Sequence, residues 1–106
     1  HKYALNQIEL LTPQALTILA DFKNWPIMNI DSYSANGSKI TSDWYLEFSK
    51  AYATSKGIST PKIFERINHS INDLIKNRYI EAHLVGQGNA KVVLTRIGDL
   101  LLPYLV

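Results

Sequence analysis

The sequence contains no cysteine, which excludes a disulfide framework and any metal site built on thiolates. It also lacks the run of roughly 18 to 20 apolar residues that a membrane-spanning helix needs. No charged start followed by an apolar block indicates a signal peptide. We therefore expect an intracellular protein, cytoplasmic or nuclear, that lies in a reducing compartment and outside the membrane.

Features of a catalytic or metal site are also missing. The three histidines, His1, His69 and His83, have no ligand spacing, and the one carboxylate at helical spacing, Asp73 after His69, is explained by a helix surface. The Gly-Gln-Gly segment at 86–88 lacks the lysine and hydroxyl residue of a phosphate-binding loop, and no serine lies in a nucleophile-elbow pattern. We expect no metal, no cofactor and no enzymatic activity.

A length of 106 residues, 46% of them apolar, is enough for one modest core and not for two. Because the chain opens with His1 and not with methionine, we expect residues 1–106 to form one domain of a larger protein, or to begin with a tag remnant. The net charge is only +2, but residues 59–96 hold six Lys or Arg against three acids, whereas the first 58 residues are balanced. This uneven distribution indicates a phosphate-facing surface in the second half.

Two helices are predicted in the first half, after a leading helical arm over residues 3–11. Thr12 is a typical N-cap followed by Pro13, and apolar residues recur at helical spacing up to Trp25-Pro26, where proline forces a stop. Residues 27–38 predict a loop, or a turn between short extended pieces, and residues 39–41 a short strand.

The second helix is predicted to be capped by Thr41-Ser42 and to end at Gly57. Its aromatic residues could stack on single-stranded bases, but their helical spacing favours the core. The apolar face comprises Trp44, Tyr45, Phe48, Ala51 and Tyr52.

The third helix has the clearest pattern. Ser59-Thr60-Pro61 repeats the cap-then-proline signature, and apolar residues follow with a period near 3.6 over about four turns. They are Ile63, Phe64, Ile67, Ile71, Leu74 and Ile75.

A change to alternating apolar and polar residues after Asn77-Arg78 predicts a hairpin, with strands at 80–85 and 91–94 and a turn at 86–89. Thr95 can cap a last helix that Pro103 limits. The apolar tail 100–106 either packs onto the first helices or meets a partner.

The order helix, short strand, helix, helix, hairpin resembles a winged helix-turn-helix, an α+β fold, mostly α, with a three-helix core, a hairpin wing and here an extra terminal helix. The run INDLIKNRYI at 71–80 resembles the end of the recognition helix in MarR, PadR and HxlR type regulators. Arg78 stands where those regulators usually have glycine, so we expect either Asn77 to take the left-handed conformation or a different turn. LTRIGDLL at 94–101 resembles their motif at the end of the wing.

A second resemblance covers WYLEFSKAYATSKG at 44–57 and the helix and wing that follow it. This part is similar to the C-terminal winged helix of origin-recognition-type replication initiators of archaea and eukaryotes. The long connection at 27–38 departs from the short link of the bacterial regulators.

The resemblance implies that the third helix enters the DNA major groove and that the hairpin reaches the backbone or the adjacent minor groove. Arg66 can present a bidentate fork to guanine and Asn72 an amide to adenine. Helix-terminal residues that favour a phosphate are Ser59, Thr60 and Lys62, and the other expected DNA contacts are His69, Lys76, Gln87, Asn89 and Lys91.

Alternatives remain at each of these sites. A solvated helix face with mixed charge, which includes Glu65 and Asp73, looks much the same, and the hairpin glycines are also what a tight turn needs. The sequence thus predicts duplex-DNA binding, as a regulator or as the terminal module of a replication protein. The alternative is a protein-interaction or dimerisation module that uses the tail 100–106.

Overall fold

The computed structural model describes residues 11–105, in which helices cover one face of an antiparallel sheet. The α+β expectation is confirmed; the leading arm at 3–11 lies outside the described residues except for Leu11. The helices are α1 (Pro13–Ala20), α2 (Tyr45–Ser55), α3 (Pro61–Lys76) and α4 (Arg96–Leu101), with 3-10 turns at Phe22–Asn24 and Leu102–Tyr104. The strands are β1 (Met28–Asn29), β2 (Ala35–Asn36), β3 (Lys39–Ile40), β4 (Ile80–Gly86) and β5 (Asn89–Leu94).

Helix α1 begins as its sequence predicts. The Thr12 hydroxyl accepts a hydrogen bond from the backbone N–H of Ala15 at 3.1 Å, and Pro13 takes the first helical position. The helix ends at Ala20, five residues before Trp25, because the chain tightens into the 3-10 turn instead of continuing to the proline. The Trp25 indole N–H then donates to the carbonyl of Ile18 at 2.8 Å, which folds the segment back onto the helix.

The expected cap of α2 at Thr41-Ser42 is wrong. The N-cap is Trp44, whose side chain makes no capping hydrogen bond, and the Ser42 hydroxyl instead accepts from the backbone N–H of Ser34 at 2.9 Å. Ser42 therefore braces the preceding loop, a use that depends on tertiary contacts.

The aromatic face of α2 belongs to the core, as its spacing favours. Trp44, Phe48 and Tyr52 are buried, and the Phe48 ring meets the rings of Trp25 and Trp44 edge to face at 5.7 and 6.0 Å. This cluster joins α2 to the segment after α1, and its burial leaves these rings no surface for stacking on bases.

Residues 27–38 adopt the second of the two expected structures, a turn between short extended pieces, which are β1 and β2. The strand β1 pairs with β5, while β2 and β3 form a small hairpin that joins β4 through the pair Lys39 and His83. The strand order is β1-β5-β4-β3-β2, and every neighbouring pair is antiparallel. The predicted β4–β5 hairpin is therefore confirmed, but it lies at the centre of a five-stranded sheet.

The junction between α3 and β4 contradicts both expectations for its left-handed residue. Arg78 itself has φ +62°, whereas Asn77 has φ −86°. The N–H groups of Arg78 and Tyr79 donate to the carbonyls of Ile75 and Leu74 at 3.0 and 2.9 Å, which is the Schellman arrangement that ends many helices. The turn is the ordinary one, and an arginine occupies the place where glycine fits without strain.

The core has two layers. Ile67, Ile71 and Leu74 of α3 are fully buried, and the inner face of the sheet adds small and branched residues such as Ala82 and Val92. Ile63, which was expected in the core, is 39% exposed, and Phe64 is only half-buried. Burial along α3 begins at Ile67, so the first turn and a half of the helix extends beyond the core.

Among residues 11–105, no helix combines the length and the apolar character that crossing a membrane requires.

Candidate nucleic-acid interface

The outer face of α3 carries most of the predicted contacts. At about 100° per residue, Lys62, Arg66, His69 and Lys76 fall within one third of the helix circumference, opposite the buried residues. The structure leaves all four side chains exposed. Helix α3 is held from behind by α1 and α2, so this face points away from the core.

The charges on this face are unequally paired. Within residues 11–105, neither Lys62, Arg66 nor Lys76 has a carboxylate ion-pair partner. Two acids share this face: the Asp73 carboxylate lies 3.5 Å from the His69 ring, and Glu65 is exposed to solvent. The face therefore presents three cations whose hydrogen-bond donors are available to a ligand.

The start of α3 also suits an anion. Thr60 is the N-cap but its hydroxyl makes no capping hydrogen bond, and the first turn contains no acidic residue. The unpaired N–H groups and the helix dipole make such an end favourable for negative charge. The exposed residues Ser59, Thr60 and Lys62 surround this end.

Asn72, the predicted adenine reader, is less well placed. Its side chain is half-buried, and its helical position lies about 75° from the middle of the exposed face. Arg66 therefore has better access to a base edge than Asn72.

The hairpin residues have mixed exposure. Gln87 and Lys91 are exposed and Asn89 is half-buried. The turn is the pair Gln87-Gly88, with Gly88 at φ +74°, and the Gly88 carbonyl accepts a hydrogen bond from the N–H of Ile30 at 2.9 Å. The hairpin tip is thus tethered to the segment after β1, and the glycine meets a real backbone requirement.

The predicted residues do not converge on one point. Lys76 lies at the end of α3 beside the base of the hairpin, whereas Lys62 is about 20 Å away along the helix axis. Gln87 lies at the far end of β4 from the same junction. The predicted residues therefore form an extended surface and not a single pocket.

A row of basic residues crosses the outer face of the sheet, and sequence reasoning predicted only one of them, Lys91, as a contact. Lys39 on β3, His83 on β4 and Lys91 on β5 are direct register partners, so their side chains form one row. The alternation at 80–85 placed His83 on the outer face, but only the strand register shows which residues flank it.

Hydrogen bonds fix the middle of this row. The His83 ring has Nδ1 3.0 Å from the Ser38 hydroxyl and Nε2 2.6 Å from a Glu81 carboxylate oxygen. The other oxygen of Glu81 lies 3.9 Å from Lys39 Nζ. The Glu81 carboxylate therefore contacts both His83 and Lys39, while Lys91 has no carboxylate partner within the described residues.

A second polar cluster links the ends of α1 and α2. Asp21 forms an ion pair with Lys56 at 2.5 Å and accepts hydrogen bonds from the side chains of Asn24 and Tyr52 at 2.9 and 3.2 Å. Burial alone would raise the pKa of Asp21, but the hydrogen bonds from Lys56 and Asn24 and the lysine charge outweigh it and lower the pKa. Burial, reinforced by the Asp21 charge and hydrogen bond, raises the pKa of Tyr52 to about 12. All the partners of Asp21 named here are side chains of this domain, so the cluster is a structural cross-link between the ends of α1 and α2.

Four surface cavities have linings that contain none of the predicted residues of α3. One of about 700 Å³ lies between α2 and the segment around β1, and its lining includes Ile27, Asn29, Glu47 and Lys50. Within residues 11–105, no group of three or more His, Asp or Glu side chains is arranged to hold a metal ion.

No family model, curated protein or solved structure matches the chain.

Proposed function

We propose that the chain is a winged-helix domain that binds duplex DNA, with α3 as the recognition helix and the β4–β5 hairpin as the wing. The order of the helices and strands supports the fold. The observation that carries the function is the exposed face of α3, where Lys62, Arg66 and Lys76 have no carboxylate partner among the described residues.

In this proposal, each part of α3 has a distinct task. Lys62 and the free N–H groups of the first turn bind a phosphate, which fixes the register of the helix on the duplex. Arg66, one turn further on, presents its planar fork to the O6 and N7 atoms of a guanine in the major groove. Lys76 contacts the sugar–phosphate backbone of the DNA at a point near the base of the β4–β5 hairpin.

The proposal is tested by titrating salt against binding to a duplex. Affinity should fall steeply as salt rises, because each phosphate contact releases counterions. Lys62→Gln should weaken binding to all sequences alike and lower the magnitude of the slope of log K against log salt by about 0.9. Arg66→Gln should instead reduce discrimination at one base pair by about 1–3 kcal/mol.

Lys50→Gln on α2 is the matched control, since Lys50 is also exposed and unpaired among the described residues but lies on another element. It should leave both the slope and the discrimination unchanged. Absence of binding at low salt, or an affinity that does not respond to salt, would contradict the proposal.

A second candidate function is dimerisation or docking through the tail. Leu100 is 62% exposed, which favours a partner, but Leu101 is buried and Leu105 packs against the core. Part of the apolar tail is therefore used within the domain, so the surface left for a partner is smaller than the sequence indicates.

Sedimentation of the wild-type chain and of Leu100→Asp separates the two functions. A dimer that this variant dissociates, together with no DNA binding, would favour docking. A strict monomer that binds DNA would exclude it. Leu101→Asp is unsuitable because burying a charge at a 2% exposed position would unfold the domain.

A further inference from the structure

We propose that a second basic surface, the sheet strip, binds the sugar–phosphate backbone of the DNA; the inference rests on the proposed function. The sheet strip comprises Arg78, Lys39, His83 and Lys91. Of these four residues, only Lys91 was expected at the interface. The placement of the others follows from strand register and from the turn after α3.

The row of three is the first observation. Lys39, His83 and Lys91 are directly opposite one another on adjacent strands, so the two lysines lie about 10 Å apart across the sheet. Like charges directly opposite one another destabilise a sheet face, but here His83 separates the two lysines. Glu81 offsets Lys39 and holds the His83 ring, while Lys91 remains unpaired among the described residues.

Arg78 is the second, independent observation. Its left-handed backbone conformation is costly for any residue with a β-carbon, and glycine would avoid that cost. Its exposed side chain has no carboxylate partner within residues 11–105. A strained, exposed arginine without such a partner is the arrangement expected of a residue that serves a ligand outside the domain.

A single groove connects the two observations. Arg78 and Lys39 both line a cavity of about 450 Å³ at the junction of α3, β3 and β4, which Thr41 and Ser42 also border. Thr95 lines it as well, but its hydroxyl already donates to the Arg78 carbonyl. Arginine forks and hydroxyl groups are common donors to phosphate oxygens. The acids Asp43 and Glu81 line the same cavity, so binding there requires the cations at its rim to outweigh them. An anionic backbone that follows the strip would meet Arg78 first, then Lys39, and would end at Lys91.

The test compares salt slopes for duplex binding in four proteins: wild type, Lys39→Gln/Lys91→Gln, Arg78→Gly and the Lys50→Gln control. We expect the double variant to lower the magnitude of the slope by about 1.8 and Arg78→Gly to lower it by about 0.9. Arg78→Gly should at the same time raise Tm, because glycine relieves the backbone strain. A variant that is more stable and binds less well cannot be explained by damage to the fold.

The outcomes separate this inference from the proposed function. Unchanged slopes in the strip variants, with a lowered slope in Lys62→Gln, would overturn the sheet strip and leave DNA binding by α3 in place. The sheet strip would also be overturned if Lys50→Gln lowered the slope as much as the strip variants do. Loss of a positive charge anywhere on the surface would then weaken DNA binding equally. Failure of the wild-type protein to bind duplex at low salt would overturn both.

Discussion

At the scale of single residues, the turn from α3 into the sheet is held by Thr95 and Gly98. The Thr95 hydroxyl donates a hydrogen bond to the Arg78 carbonyl at 2.5 Å and accepts one from the N–H of Gly98 at 3.1 Å. The same side chain therefore stabilises the turn after α3 and caps α4. A β-carbon on Gly98 would lie far inside contact distance of the Tyr79 carbonyl oxygen. The leucine-threonine-x-x-glycine pattern thus has a physical basis in this close approach, whatever its role in DNA binding.

Gly98→Ala should therefore lower the free energy of unfolding by about 2–3 kcal/mol, since the backbone at Tyr79 has to move to admit a methyl group. Urea denaturation followed by circular dichroism measures this. Gly37→Ala is the comparison: its β-carbon would meet open space at φ +64°, so only the backbone cost of about 1 kcal/mol applies. Equal losses in the two variants would show that the Tyr79 contact does not limit this position.

At the scale of elements, α3 divides into a buried part and a projecting part. Its buried residues begin at Ile67, while Ile63 lies in the first turn and is 39% exposed. Periodicity predicted both isoleucines in the core because it reports which side of a helix is apolar and not how far the neighbouring elements extend along it. The projecting turn is also the end that carries Lys62 and the free N–H groups.

Ile71→Ala should cost about 2–5 kcal/mol, whereas Ile63→Ala should cost less than about 1 kcal/mol. Both changes remove the same atoms from the same helix, so the comparison isolates the burial at each position. Thermal or urea unfolding of the two variants is sufficient. A large loss in Ile63→Ala would mean that the first turn is covered in solution, and its role as an anion-binding end would then fail.

At the scale of the whole molecule, one core joins the helices to the sheet, and the cluster of Asp21, Lys56 and Tyr52 cross-links its first two helices. The two perturbed groups act at opposite ends of the pH range. The pKa of Asp21 is lowered, so its contribution is present above pH 3.8, the ordinary value, and is lost as the pH falls through the folded-state value. The pKa of Tyr52 is raised from 10.0 to about 12, so its contribution is complete below pH 10.0 and disappears as the pH rises towards 12.

The free energy of unfolding should therefore decline on both sides of a plateau, with a loss of about 2 kcal/mol between pH 10 and 12 that belongs to Tyr52. Urea unfolding across the pH range measures both limbs. Tyr52→Phe should be less stable at neutral pH and should lose the part of the alkaline decline that Tyr52 causes, while Asp21→Asn should weaken the acid limb. An alkaline decline of the same size in Tyr52→Phe would exclude Tyr52 as its cause.

The sequence by itself determined most of the local structure of this protein. The caps at Thr12 and Thr95, the α3 periodicity and the β4–β5 alternation each depend on neighbours within a few residues, and the structure has the corresponding helices and strands. It also placed the exposed cations of α3, because a helix shows its solvent face in its own spacing.

Tertiary structure decided everything that depends on distant segments. The short strands β1 and β3 pair with the edges that β5 and β4 offer, and β2 pairs in turn with β3; no two-residue strand is stable alone. The same pairing aligned Lys39, His83 and Lys91, and the helix-to-sheet junction put Arg78 into a left-handed turn. Register and junction geometry are set by packing between segments far apart in the chain, which a pattern read along one strand or helix does not contain.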